Sequence, residues 1–259
     1  MKRRHFLSVF GTASLAAMTS ATHAAGAPAA REFYELRQYT LQSEEQRKGL
    51  DAFLRDAAIP AVNRLGIRPV GVFYPDQGFS PVYVLVPHRT PESHATLMDR
   101  LAQDAEFMAR GAAYLDAPSS APAYQRMETW LMVAFAGMPR METPVRSPGR
   151  VFQLRIYESP SEKTGLKKIE MFNDAGEIQI FREVGLNPVF FGQTLAGGKM
   201  PNLTYMLAFE SIEAQKAAWK KFGGHPLWQK ISKMPEYADK AILSGITNLP
   251  LIAADYSQV

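Results

Sequence analysis

Apolar and polar residues alternate along Phe33–Thr40, FYELRQYT, the two-residue period of a strand with unlike faces. Ser43-Glu44-Glu45-Gln46 then has the form of a capping box. Leu50, Phe53, Leu54, Ala57 and Ala61 follow at helical spacing until Gly66 stops the helix. Pro60 lies inside that run and should kink it or start a second segment. Val70–Tyr74 and Val82–Val86 read as strands around an Asp76-Gln77-Gly78 turn. Thr90-Pro91 supplies a cap and a first-turn proline for another helix, and Arg126–Phe135 reads as a last strand.

The same rhythm then recurs. Val151–Tyr157 is strand-like, a helix runs from Ser161 to Gly185, strands cover Val189–Thr194 and Leu203–Glu210, a helix follows Ser211, and a strand lies near Ile242–Ile252. Individual residues repeat as well: Leu-Arg-x-Tyr occurs at 36–39 and again at 154–157, 118 residues later. Leu65-Gly66-Ile67-Arg68-Pro69-Val70 parallels Val184-Gly185-Leu186-Asn187-Pro188-Val189, and Tyr83–Val86 parallels Tyr205–Ala208. Two copies are too few for a solenoid, so each should be a small domain. The order strand-helix-strand-strand-helix-strand is that of a ferredoxin-like unit, with two helices on one face of a four-stranded antiparallel sheet. Its other face needs a cover, and a second copy can supply one. The expected fold is therefore α+β, two tandem ferredoxin-like (βαββαβ) units at 33–135 and 151–255 whose antiparallel sheets pair as a barrel. The linker 136–150 carries Pro139, Pro144 and Pro148.

Composition sharpens this in three ways. Lys2-Arg3-Arg4-His5-Phe6-Leu7, a mildly apolar run and Ala21-Thr22-His23-Ala24 have the layout of a signal peptide over 1–24, and the paired arginines before Phe-Leu resemble a twin-arginine export signal. Residues 25–32 read as a flexible leader, and the mature chain is expected in the periplasm with no membrane span. Lys2, Arg3 and Arg4 are three of 29 basic residues, set against 25 acidic ones, so the mature charge is near +1. That balance gives no reason to expect nucleic acid as a partner. The chain has no cysteine, which removes disulfides, thiolate ligands and cysteine nucleophiles.

Glu35-Leu36-Arg37-x-Tyr39, the run Gly66-x-x-Pro69-Val70-Gly71-Val72-Phe73, and Trp219-x-x-Phe222-x-x-His225-Pro226-x-Trp228 together resemble NIPSNAP domains. That resemblance spans about 33–255. It implies a dimeric α+β barrel fold and self-association into a homo-oligomer. It brings no catalytic residues, but the wider superfamily implies several activities: monooxygenases, chlorite-converting heme enzymes, lactone isomerases and proteins that only bind. His225 stands where the family usually has an acid, and the first copy's Asp104-Ala105-Glu106-Phe107 lacks the Pro and Trp.

In each opening strand, alternation separates an apolar trio from a polar one. Phe152, Leu154 and Ile156 should lie beneath the helices, leaving Gln153, Arg155 and Tyr157 to point between the sheets with Glu35, Arg37 and Tyr39 of the first copy. Two guanidiniums, a carboxylate and two phenols would suit an anionic or polar ligand, or would form a self-satisfied internal network. His88, His94 and His225 show no i,i+4 pair, so no metal site is expected. No cofactor is evident, although one proximal histidine would suffice for heme. The sequence thus predicts an exported binding or assembly protein with a pocket for a small polar or aromatic ligand; the alternative is an oxidative enzyme, cofactor-free or heme-assisted.

Overall fold

A computed structural model describes residues 30–259 of the chain; the expected signal peptide and the first five residues of the expected leader lie outside the described residues. Eight strands form where alternation and β-branched or aromatic runs predict them: β1 (Phe33–Thr40), β2 (Gly71–Pro75), β3 (Val82–His88), β4 (Arg126–Ala134), β5 (Val151–Glu158), β6 (Pro188–Ala196), β7 (Asn202–Phe209) and β8 (Gly245–Ala253). All pairings are antiparallel, and the sheet closes on itself in the order β1-β3-β2-β8-β5-β7-β6-β4. Each half contributes its strands in the same sequence, fourth-first-third-second, as β4-β1-β3-β2 and β8-β5-β7-β6. The halves meet edge to edge at two seams, β2 with β8 and β6 with β4. Closure within one chain leaves no open sheet edge among the described strands.

Among the described residues, ten α-helices cover the outside. In the first half these are α1 (Glu44–Phe53), α2 (Ile59–Arg64), α3 (Pro91–Ala95), α4 (Leu97–Ala102) and α5 (Ala105–Leu115). In the second they are α6 (Glu162–Asn173), α7 (Glu177–Val184), α8 (Ile212–Gly224), α9 (Pro226–Ile231) and α10 (Asp239–Ile242). Ser43, Thr90, Ser161 and Ser211 accept the N-cap bonds their sequence positions anticipate. Pro60 does what its missing N–H requires: a π-helical turn at Leu54–Ala58 absorbs the lost bond and α2 restarts around it. Three expectations shift. The helix expected from Ser161 to Gly185 breaks at Gly176, in the left-handed region at φ 96°. The helix after Thr90 is three segments, because Asp104 caps a new start. The last strand begins at Gly245, since Asp239–Ile242 forms α10.

The core has three compartments. The barrel interior holds Tyr34, Leu36, Phe73, Phe152, Leu154 and Phe190 among others, drawn from both halves, with Phe73 and Phe152 in edge-on contact at 4.9 Å. An eight-stranded barrel encloses just enough space for side chains to fill. Outside it, one apolar layer lies between β1–β3 and α1–α5, and a second between β5–β7 and α6–α10.

Candidate functional site

Barrel closure decides where the polar trios point. Tyr34 and Leu36 enter the interior, so Glu35, Arg37 and Tyr39, one residue out of phase, face the helices of the first half. Phe152 and Leu154 likewise point inward, and Gln153, Arg155 and Tyr157 lie beneath the helices of the second half. The expected placement between facing sheets is therefore inverted. A closed barrel makes its inside the driest compartment, and apolar residues win it; charged residues take the helix-side face, where water or partners are within reach. Nor do the two trios meet: β1 and β5 stand four strands apart in an eight-stranded ring, on opposite sides of the barrel.

The two polar faces have different fates. In the second half the space is filled. Trp219 Nε1 donates to Gln153 Oε1 at 2.7 Å, and the Arg155 guanidinium stands 5.0 Å from the Trp219 ring. Tyr205 donates to the Tyr157 hydroxyl at 2.9 Å, with Phe172 and Phe181 packed beside it. The Tyr205 phenol is held neutral far above its ordinary range, first by burial and then by Tyr157.

In the first half, by contrast, a cavity of about 710 Å³ opens between β1, β3 and the helices. Its walls are apolar and aromatic, including Phe53, Leu97, Leu101, Phe107 and Tyr114, with Tyr124 and Met127 towards the rim. Phe53 and Tyr114 stack at 3.8 Å. At one end stand Glu35, Arg37 and His94, with Tyr39 further along β1 beside Tyr124.

That polar end is built around the Glu35 carboxylate, 2 % exposed. Arg37 Nε donates to Oε1. His88 Nε2 lies 3.2 Å from Oε2, and His88 Nδ1 lies 3.0 Å from Ser93 Oγ. His94 Nδ1 also comes within 3.2 Å of Oε2, but without hydrogen-bonding alignment, and this buried nitrogen has no hydrogen-bond partner. Burial alone would push the Glu35 carboxyl up; His88, His94 and Arg37 outweigh it and hold the group well below the usual carboxylate range. His94 is shifted upward, chiefly by Glu35 and against its own burial. Glu35 therefore stands ionised beside Arg37, and the Arg37 side chain lines the cavity with Tyr39 close by.

Sequence spacing passed over His88 and His94, which show no i,i+4 pair. The signal lies in parity and register. Val84, Val86 and His88 share a face, and because Phe33 pairs with His88 and Glu35 with Val86, His88 sits on the diagonal from Glu35. The Thr90-Pro91 cap then folds α3 back so that His94 approaches the same carboxylate. Of the described histidines, His94 lines the cavity and His225 pairs with Glu183 elsewhere at 3.1 Å. Candidate heme contacts on the chain's side thus reduce to His94, whose Nδ1 is directed at Glu35.

The fold and site together define an α+β protein built on a closed antiparallel barrel with a ligand-sized cavity under one helical layer. Residues 152–258 match the NIPSNAP family model. Among solved structures, the chain resembles a provisionally named monooxygenase from Lactobacillus acidophilus, with TM-score 0.57 and 9% identity over 86% of this chain and 94% of that one. It also resembles one from Fusobacterium nucleatum (TM-score 0.55, 6% identity, 87% and 93% covered) and an anthrone oxidase-like protein (0.51, 10%, 86% and 92%). At these identities the likeness is one of fold. No curated protein matches the sequence significantly. No helix among the described residues is long and apolar enough to cross a membrane.

Proposed function

We propose that the protein binds a small, mainly apolar or aromatic molecule with an anionic or hydrogen-bond-accepting head group in the cavity of its first half. The observation that carries this reading is the combination of aromatic walls, Tyr39 among them, with a charged end made of Glu35, Arg37 and His94. The walls would take the ligand's body, and Arg37 would orient its head. Gln153, Arg155 and Tyr157 would have a structural role, because Trp219 and its neighbours fill the corresponding place. The test is titration with 1-anilinonaphthalene-8-sulfonate, an aromatic body with an anionic head. Saturable one-to-one binding is expected, and Ala95→Trp, which adds bulk at an exposed position on the cavity wall, should weaken it at least tenfold. Non-saturable binding, or equal binding by the variant, would overturn the proposal.

A second reading is favoured by His94 together with Tyr39 and Tyr114 around one cavity: an oxidative enzyme acting on an aromatic or quinone-like substrate, as the names of two fold neighbours invite. When bound, heme would supply oxidative chemistry, and His94 would be its protein ligand. The visible spectrum of the purified protein separates the two, since a heme band lost in His94→Ala supports the enzyme and a spectrum without one supports the binder.

Three further points belong to the proposal. The repeated strand order and the repeated Leu-Arg-x-Tyr support a tandem duplication of ferredoxin-like units. The Arg3-Arg4-His5-Phe6-Leu7 start supports twin-arginine export to the periplasm, checked by the N-terminal sequence of the protein recovered there. Resemblance to dimeric barrels supports self-association, checked by sedimentation equilibrium.

A further inference from the structure

We propose that Glu35, His88 and His94 form a mononuclear site for a divalent first-row transition ion, such as Zn²⁺ or Fe²⁺, that opens on the first-half cavity. One carboxylate oxygen and two imidazole nitrogens lie within 4.8 Å of one another, all buried or half-buried. Two of the separations, from Glu35 Oε2 to His88 Nε2 and to His94 Nδ1, are 3.2 Å. Two ligands each about 2.0–2.1 Å from one metal ion stand roughly 2.8–3.4 Å apart at octahedral to tetrahedral angles. Two of the three donor pairs therefore already hold ligand spacing, and the third lies within 4.8 Å.

Three features distinguish this cluster from a self-satisfied polar network. First, His94 Nδ1 is buried and makes no hydrogen bond, an unmet demand that coordination would meet. Second, His88 has the outer partner typical of a ligating imidazole. Its Nδ1 can donate to Ser93 Oγ at 3.0 Å, which leaves Nε2 deprotonated towards the ion, while the Ser93 backbone N–H is tied to Thr90 Oγ1 at 3.3 Å. Third, Arg37 occupies only Oε1 and leaves Oε2 to the two histidines, so the arginine can steady the carboxylate from outside the coordination sphere. Its positive charge would also weaken binding relative to an all-acidic site. Two imidazoles and one carboxylate, with no thiolate in the chain, match the preferences of zinc and ferrous iron better than those of copper(I) or calcium. Three protein ligands leave coordination positions open, and since Glu35 and His94 line the cavity, those positions face it.

The inference does not rest on the small-molecule reading, because loading the triad requires no occupant in the apolar part of the cavity. The test is a titration of the full chain, purified without a polyhistidine tag and stripped with chelator, with Co²⁺ followed by its visible ligand-field absorption, then competition by Zn²⁺. One ion per chain is expected, with a Kd of roughly 1 µM or tighter. His94→Ala removes a partly exposed side chain and should fold; it should weaken Co²⁺ binding at least about tenfold and change the spectrum. Glu35→Gln should do the same, and His225→Ala, distant on the surface, should change nothing. Absence of stoichiometric binding in the wild-type chain overturns the site, as does equal affinity in His94→Ala. Either result stands even if Glu35→Gln fails to fold.

Discussion

Glu177 shows what sealing a single carboxyl beneath helices does. It is fully buried at the start of α7, with one oxygen unpaired and Lys168 Nζ 3.6 Å away. Burial raises its pKa to about 7, against the opposing pull of Lys168 and Arg155 and with a further push from Asp239. An acid whose folded pKa is raised stabilises the fold most below its unfolded value near 4.5, and that contribution is lost as pH rises to about 7. Glu177→Gln keeps the shape and cannot ionise. Relative to wild type it should gain stability between pH 4.5 and 7, by up to about 3 kcal/mol. Denaturant melts of both proteins across that range check it, and parallel profiles would contradict it. In the other half, Glu35 holds Arg37 and two histidines around one carboxylate. Glu35→Gln in metal-free protein should cost about 3 kcal/mol, because it leaves the Arg37 guanidinium half-buried and unpaired. The same denaturant melts measure that loss. Glu35, Arg37 and Tyr39 were legible as a polar face in the sequence because alternation is a local property. Their histidine partners were not, since His88 and His94 reach Glu35 through strand register and a helix turn.

The elements themselves were written locally, in caps, glycines and prolines. Ser161 and Thr164 form a reciprocal capping box, and Gly185 ends the following helix with φ 83°. What local reasoning missed is where one element leans on another. Gly197 turns the β6–β7 hairpin at φ 145°, and a Cβ there would run into the Trp130 ring of β4, whose Nε1 donates to Gly198 O at 3.1 Å. Trp130 thus clamps the hairpin of the second half onto the closing strand of the first. Gly197→Ala is strained by its backbone and by the indole, and should destabilise by more than about 1 kcal/mol while loosening this clamp. Equilibrium unfolding followed by circular dichroism measures the loss; an unchanged midpoint would refute the role.

At the scale of the molecule, two seams and one tail hold the ring shut. Tyr256 donates to Asp51 at 2.6 Å, Ser257 Oγ and Gln258 Oε1 accept from the Val72 and Val70 N–H groups at 3.0 and 2.8 Å, and Val259 is buried in the barrel cluster. Arg150, at the end of the linker, donates to Val259 O at 2.8 Å, so the junction between halves is fastened to the far end of the described chain. Deleting residues 256–259 removes these bonds and one buried apolar side chain. The expected cost is about 3 kcal/mol, or roughly 6–12 °C in Tm by calorimetry. A Tm within a degree of wild type would show the tail to be an ornament on an already closed barrel.

The sequence alone settled the strands, most helix starts and stops, the recurrence of Leu-Arg-x-Tyr in the two halves, and the division of each opening strand into an apolar and a polar face. These depend on periods of 2 and 3.6 residues and on cap chemistry, which act over a few positions. Tertiary structure decided which face is inside. Closing eight strands into a ring created a dry interior that claimed the apolar trios and turned Glu35, Arg37 and Tyr39 towards the helices. It decided, too, that one helical layer leaves a cavity while the other is filled by Trp219, because void and packing are set by side chains brought together from distant parts of the chain.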